Sequence, residues 1–320
     1  MQKKIRVGVV GIGYLGKIHT RIYNELPEAE LVGICDSNPE TKIKADEYGV
    51  KFFTDHRDLI GKVDAVSIVT PTFTHHAVAK DFLEAGIHTL IEKPITLKLE
   101  DADELINLAR DKQLALQVGH LERHNPGFKR ISEIIQNVGF LEIHRLGPFT
   151  GRINDCGVVL DLMIHDLDIV LGLVKSPVKH FDAMGIRVLT PFEDIANVRI
   201  RFENGAVANL TASRLTFEKQ RKLRVFQENG YLSLDYEAQS CKIIRLLPSA
   251  AGGLGDQIEQ ETVDIQKGEP LKEELRFFIN SILDGTGPGN PDTAARDALA
   301  LAIQIRDSID KQVKSRSILK

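Results

Sequence analysis

Apolar residues recur along the first third of the chain with two alternating periods. IRVGVV (5–10) is short, apolar and β-branched, the pattern of a strand buried on both faces of a parallel sheet. From Leu15 the period lengthens, and Leu15, Ile18, Ile22 and Leu26 form a helical stripe that Pro27 ends. ELVGICD (30–36) is a second buried strand, and VDAVSIVT (63–70), HTLIEK (88–93) and ALQVG (115–119) are three more. Helices are predicted between them over HHAVAKDFLEAG (75–86), closed by Gly86, and LEDADELINLARDKQ (99–113). This alternation predicts an α/β domain, a doubly wound parallel sheet of Rossmann type with its ligand crevice at the strand C-terminal ends.

After about residue 121 the pattern changes. It predicts a helix over 127–137, a strand near 140–146 and a long apolar helix over 157–174. NVRIRFENGAVANLTAS (197–213) is a hairpin turning at Asn204-Gly205, with Val198, Ile200 and Phe202 on one face and Arg199, Arg201 and Glu203 on the other. LRVFQENGYLSLDY (223–236) repeats the device at Asn229-Gly230, PSAAGGLGDQ (248–257) has loop composition, and helices near 270–284 and 292–312 finish the chain. The reading is a Rossmann domain over 1–121 and an α+β domain with an open, mainly antiparallel sheet over 122–320, the last helix packing back on the first domain. The free face of such a sheet is a natural subunit interface, so a homodimer or homotetramer is expected.

Composition narrows the function classes. The chain has 320 residues, 42% hydrophobic and 27% charged, enough for two cores. A net charge of −4 without blocks of Lys or Arg gives no footprint for nucleic acid or anionic lipid. Cys35, Cys156 and Cys241 are far apart and in no CxxC pair, which suggests neither a disulfide framework nor a zinc site and fits a reducing, cytoplasmic setting. No apolar run reaches the ~20 residues of a membrane helix. Three glycines and Lys17 break the apolar stretch over 6–19, against an export signal.

That broken stretch holds the first candidate chemistry. Gly11 permits a tight turn, Gly13 lets backbone amides approach a pyrophosphate, and Gly16 lets helix and strand pack closely. Ile12, Tyr14 and Leu15 lie between them at the helix N-terminus, where the dipole favours an anion. Asp36 ends the next strand, placed to accept from both ribose hydroxyls of an adenosine. A 2′-phosphate would meet that carboxylate, and Ser37 and Asn38 add no cation, so NAD is expected over NADP. Thr70, Pro71, Thr72, Glu92 and Lys93 lie at further strand ends and, with His75, are candidate cofactor contacts, while His19, His75 and His76 near the same turns fit packing beside a cofactor.

An ammonium at Lys93 could polarise a substrate hydroxyl or hold a ribose, or it could be solvated or paired with Glu92. Asp161 and His165, four apart on a helix, share one face, where the carboxylate would fix the tautomer of a histidine base. Asp166 and Asp168 raise the competing idea of a divalent metal, which the opposed directions of adjacent His165 and Asp166 disfavour. Arg123 and Asn125 in ERHNP and Arg152 in TGRIND are candidate contacts for a pyrophosphate, or else partners in domain-interface ion pairs.

The glycine turn, TPTFTHH, EKP and DLMIHDLD stand in the order and spacing of the glucose-fructose oxidoreductase, inositol dehydrogenase and rhizopine catabolism (Gfo/Idh/MocA) family, which the chain resembles over nearly its whole length. GHLERHNP with DCGVVLDLMIHDLDIVLGL is most similar to its UDP-N-acetylglucosamine 3-dehydrogenase-like members. The resemblance implies a sugar dehydrogenase using NAD, with Lys93 at the reacting centre and Asp161 and His165 over the nicotinamide as orienting group and base. An inositol or free-sugar dehydrogenase is the first alternative. A dinucleotide-binding regulator without turnover is the second, and it would have no need of Lys93, Asp161 and His165.

Overall fold

The computed structural model describes residues 3–151, 156–228, 230–246, 258–289 and 291–318. Two compact units result, one of residues 1–121 with 269–296 and one of 122–268 with 297–320.

The first unit is a six-stranded parallel sheet. Its strands are β1 (Ile5–Val10), β2 (Ala29–Cys35), β3 (Lys51–Phe53), β4 (Ala65–Ile68), β5 (His88–Glu92) and β6 (Leu116–Gly119), in the spatial order β3-β2-β1-β4-β5-β6. Helices α1 (Tyr14–Glu25), α2 (Lys42–Tyr48), α3 (Thr72–Glu84) and α4 (Leu99–Asp111) connect them. The order reverses at β1, with which β2 and β4 both pair in parallel, and ligand crevices form at such switch points. Val7, Val9, Ile34, Ala65 and Leu90 are wholly buried, as two-sided strands must be.

One more helix completes this core. In α7 (Pro270–Leu283), Leu275, Phe278 and Ile279 have no exposed surface and pack with Ile22, Tyr23 and Leu26 of α1 and the turn after it. Lys272 adds an ion pair to Glu25 at 2.7 Å, and Glu269 pairs with Arg21. The contiguous 122–320 domain and the return of the last helix are therefore corrected: α7 joins the first unit, while α8 (Thr293–Ile318) groups with the second from Asp297 on. The reason is the apolar side of α1, whose Ile22 and Tyr23 share one buried cluster with Leu275, Phe278 and Ile279.

The second unit is built on an eight-stranded sheet of β7 (Val138–Leu146), β8 (Val178–Ile186), β9 (Ile195–Phe202), β10 (Val207–Ser213), β11 (Gln220–Gln227), β12 (Gly230–Asp235), β13 (Ser240–Leu246) and β14 (Ile258–Val263). Their order is β14-β13-β12-β11-β7-β10-β9-β8, antiparallel except for the β7–β10 pair. The first hairpin has Gly205 at φ +89°, as its turn requires, and pairs Val198 with Leu210 and Ile200 with Ala208. Asn229 of the second hairpin and the 248–257 loop lie outside the described residues.

Period-2 alternation places Val198, Ile200, Leu210, Leu223 and Val225 on the buried face, with Arg199, Arg201 and Phe226 exposed on the other. Helix α5 (Pro126–Ser132) is shorter than predicted, and Asn137 takes a left-handed φ of +48° as the chain turns into β7. The uniform helix expected over 157–174 begins instead with a π turn, Val159–Met163, before α6 (Ile164–Val174).

Candidate active site

The glycine turn is shaped by contacts that no larger residue could keep. Gly11 has φ +93°, and a Cβ there would lie 2.6 Å from the Val69 carbonyl oxygen. A Cβ on Gly16 would lie 1.8 Å from the Gly11 carbonyl oxygen, so this glycine is what lets α1 start against β1. Gly13 caps α1 and has no atom within 4 Å of its missing Cβ. A dinucleotide pyrophosphate fits that open room, facing the amides of the first turn. Tyr14 is exposed, Leu15 half-buried and Ile12 buried.

Asp36 is held from two sides by backbone N–H groups. One carboxylate oxygen accepts from the Ile12 N–H at 2.6 Å, the other from the Asn38 N–H at 2.8 Å, so the acid is tied to the phosphate turn on one side and its own loop on the other. The exposed Ser37 beside it carries no charge. NADH is therefore expected to bind more tightly than NADPH in fluorescence titrations. Asp36→Ala with Ser37→Arg should move the preference toward NADPH, and equal affinities in the unaltered protein would contradict the role given to Asp36.

At the ends of β4 and β5 the structure separates exposed candidates from supports. Thr70 and Thr74 join hydroxyl to hydroxyl at 2.7 Å, and Pro71 caps α3. Lys93 is half-buried at the exit of β5. Glu92, a cofactor candidate in the sequence, is 6% exposed and faces inward. It accepts from His19 Nε2 at 3.1 Å and, more loosely, from the Lys93 N–H at 3.3 Å, while Ser67 Oγ lies 3.3 Å from His19 Nδ1 and 2.8 Å from the Tyr23 hydroxyl. Burial alone would raise the Glu92 carboxyl, but the His19 bond and charge outweigh it and hold it below the ordinary value. A Cβ on Gly119 would meet this carboxylate at 2.9 Å, which explains that glycine.

His75 is 1% exposed and both of its ring nitrogens face protein carbonyls, as the packing role expected of it requires. His76 pairs at the surface with Glu104.

In the second unit the helix bearing Asp161 and His165 starts over a buried acid. Glu193 accepts from the Val159 N–H at 3.1 Å and its backbone carbonyl accepts from the Val158 N–H, capping the helix start. A Cβ on Gly157 would overlap the Glu193 carboxylate at 2.0 Å. Burial raises the Glu193 carboxyl. The π turn, a feature common at functional sites, takes between four and five residues round the axis, so Asp161 and His165 remain on one side of the helix. Asp161 is half-buried and His165 is 7% exposed.

The two acids after His165 are spoken for. Asp166 receives a forked guanidinium from Arg145, at 2.8–3.1 Å, and Arg145 also reaches Glu122 at 2.9 Å, all three buried. Burial raises the Asp166 carboxyl and opposes charge on Arg145, yet the two acids prevail and hold the guanidinium above its ordinary value. This triad was not anticipated. Its signal was Arg145 itself, at the inward position after Leu141 and Ile143 in β7.

Asp168 takes Arg123, whose Nε donates at 2.7 Å. Arg123 thus forms an ion pair within its own unit. Asn125, expected at a substrate phosphate, is corrected: its oxygen accepts from the Gly127 N–H to cap α5, its amide donates to the Tyr236 carbonyl, and it is 2% exposed. His124 is buried, and burial with the nearby Lys129 and Arg123 charges pulls it down to about 4. Arg152 lies outside the described residues. Among the described residues, no cluster of three His, Cys, Asp or Glu is arranged for a metal, and no helix is long and apolar enough to cross a membrane.

Comparison with known proteins agrees with this geometry. Residues 5–120 match the model of the oxidoreductase family with an NAD-binding Rossmann fold, and residues 145–233 match the GFO/IDH/MocA C-terminal domain. UDP-N-acetylglucosamine 3-dehydrogenase of Acidithiobacillus ferrooxidans is 37% identical over 312 residues, 96% of this chain and 97% of the relative. A solved structure of that protein superposes with a TM-score of 0.90 over 96% of this chain and 98% of its own, at 36% identity. Inositol 2-dehydrogenase of Rhizobium meliloti is 30% identical over 93% of this chain and 94% of its own length. Levoglucosan dehydrogenase in complex with NADH and levoglucosan shares the fold, with a TM-score of 0.85 at 21% identity over 97% of this chain and 98% of its own. A doubly wound sheet with a glycine turn and an acid on β2's end, followed by an open sheet with an Asp-His helix, places the chain in the Gfo/Idh/MocA family of NAD-binding oxidoreductases.

Proposed function

We propose that the protein oxidises a secondary alcohol of a UDP-sugar, the C3 hydroxyl of UDP-N-acetylglucosamine or a close analogue, to the ketone. The observation that carries this reading is the near-full-length similarity to an enzyme of that name. Bound NAD supplies the hydride acceptor. His165 takes the hydroxyl proton as the C–H hydride leaves, Asp161 orients the imidazole, and Lys93 polarises the oxygen. Arg152 and Arg123 grip the pyrophosphate, Arg123 held in place by Asp168.

UDP-N-acetylglucosamine with NAD should give a 3-keto sugar trappable by a hydrazine, a fairer test than NADH absorbance because oxidation of such an alcohol is uphill. Free N-acetylglucosamine should be a poor substrate. Arg152→Ala should weaken use of the UDP-sugar by at least about tenfold, the loss of one charge-assisted contact. Turnover of myo-inositol or a free hexose, with no ketone from any UDP-sugar, would instead favour the inositol dehydrogenases among the relatives.

The same reading makes the protein a cytoplasmic homodimer or homotetramer, joined through the free face of the eight-stranded sheet. On that face Phe226 packs at a tilt against Phe140 and Tyr231, with ring centroids 5.5 and 4.8 Å apart. Buried Cys35 and Cys241, whose thiols burial pushes up to about 12 and about 11, suit a reducing compartment. Sedimentation at micromolar concentration tests the assembly, and Phe226→Asp should dissociate it.

A further inference from the structure

We infer that His75 is a positioning residue that sets the spacing between the loop after β4 and the loop after β5. The inference rests on the proposed reading of Thr70–Thr72 as a cofactor loop and of Lys93 as a catalytic group.

The imidazole stands in α3, five residues after Thr70, and its two nitrogens reach different loops. Nε2 lies 2.9 Å from the Thr70 carbonyl oxygen and Nδ1 lies 3.0 Å from the Pro94 carbonyl oxygen. Neither loop can draw on its proline for a backbone donor: Pro71 and Pro94 lack the N–H that would otherwise stitch adjacent strand ends together. One side chain does that work from inside the fold, at 1% exposure. A neutral ring carries one N–H, so it donates to one carbonyl at a time, and burial keeps its pKa below the ordinary value although both carbonyls and Glu92 pull it upward. The ring stands between the two loops, and its tautomer decides which of the Thr70 and Pro94 carbonyls it holds by hydrogen bond.

The test uses the full-length protein and two substitutions that each keep one arm. His75→Asn retains a donor near the Nδ1 position, toward Pro94, and His75→Gln retains one near the Nε2 position, toward Thr70. Hydrogen exchange of the protein without cofactor, NADH affinity by fluorescence, and kcat with UDP-N-acetylglucosamine and NAD are measured for both and for His75→Ala.

His75→Ala should speed amide exchange in both 69–74 and 93–96, raise the Kd for NADH and lower kcat, each by about five- to tenfold, the weight of one hydrogen bond. His75→Gln should restore protection of 69–74 and NADH affinity but not kcat, and His75→Asn should restore protection of 93–96 and kcat but not affinity. Asn and Gln variants that behave alike, exchange that rises evenly across the unit, or exchange unchanged in His75→Ala would each overturn the inference. Lys93→Ala, run beside them, judges the catalytic reading separately. If that variant turns over normally, the reading of Lys93 fails while the exchange and NADH data still decide the role of His75.

Discussion

His165→Ala and Lys93→Ala should each lower turnover by roughly two to four orders of magnitude while NADH affinity changes little, the range for loss of a general acid or base. His165 sits at the start of α6, 7% exposed, on a helix whose entry is pinned by Glu193, so the chain around it is held when the ring is removed. Asp161→Asn should cost less, because orientation of the imidazole is partly kept by packing. Steady-state kinetics with fluorescence titration of NADH separate the two parameters. Near-normal kcat in either alanine variant would remove that residue from the reaction.

Arg145→Met should destabilise the protein by about 3–5 kcal/mol, because Glu122 and Asp166 would then be buried without their counter-charge. For a domain of this size the melting temperature should fall by about 10 °C. The pair itself is not the source of the stability: its desolvation cost offsets most of its attraction. Replacing all three by apolar residues, as in Arg145→Met with Glu122→Leu and Asp166→Leu, should therefore recover most of the loss. Calorimetry on the single and triple variants decides this. A single variant that melts within a degree or two of the parent would mean the acids find other partners.

What the sequence showed and hid follows from the range of each signal. The glycine turn, Asp36 and the strand alternation are local patterns, and a buried parallel strand is apolar whatever surrounds it, so the first sheet was legible. The first hairpin was legible for the same reason, since Asn204-Gly205 supplies the residue that its turn needs at positive φ. The partner of α7 was not, because Leu271, Leu275, Phe278 and Ile279 announce an apolar side without saying which core receives it. The π turn has no local mark beyond Gly157, whose small size only makes sense once Glu193 is beside it. Asn125 was misread although Asn followed by Pro is a helix-start signal, and Pro126 occupies the first helical position. Glu92 and His75 sat at strand ends where ligands bind, but burial turned them inward to hold the loops that carry Lys93 and Thr70.

Closure of the first unit by α7 also dictates an order of events during synthesis. The ribosome releases Leu121 long before Glu269, an interval of roughly 7–30 s at ordinary elongation rates. Throughout that time the nascent dinucleotide-binding region presents Ile22, Tyr23 and Leu26 without their cover, an apolar stripe that a chaperone can occupy. A fragment ending at Leu121 should consequently be recovered as aggregate, and supplying residues 269–296 in trans or by fusion should make it soluble. The half of the enzyme translated first therefore waits for a segment made after most of the second half.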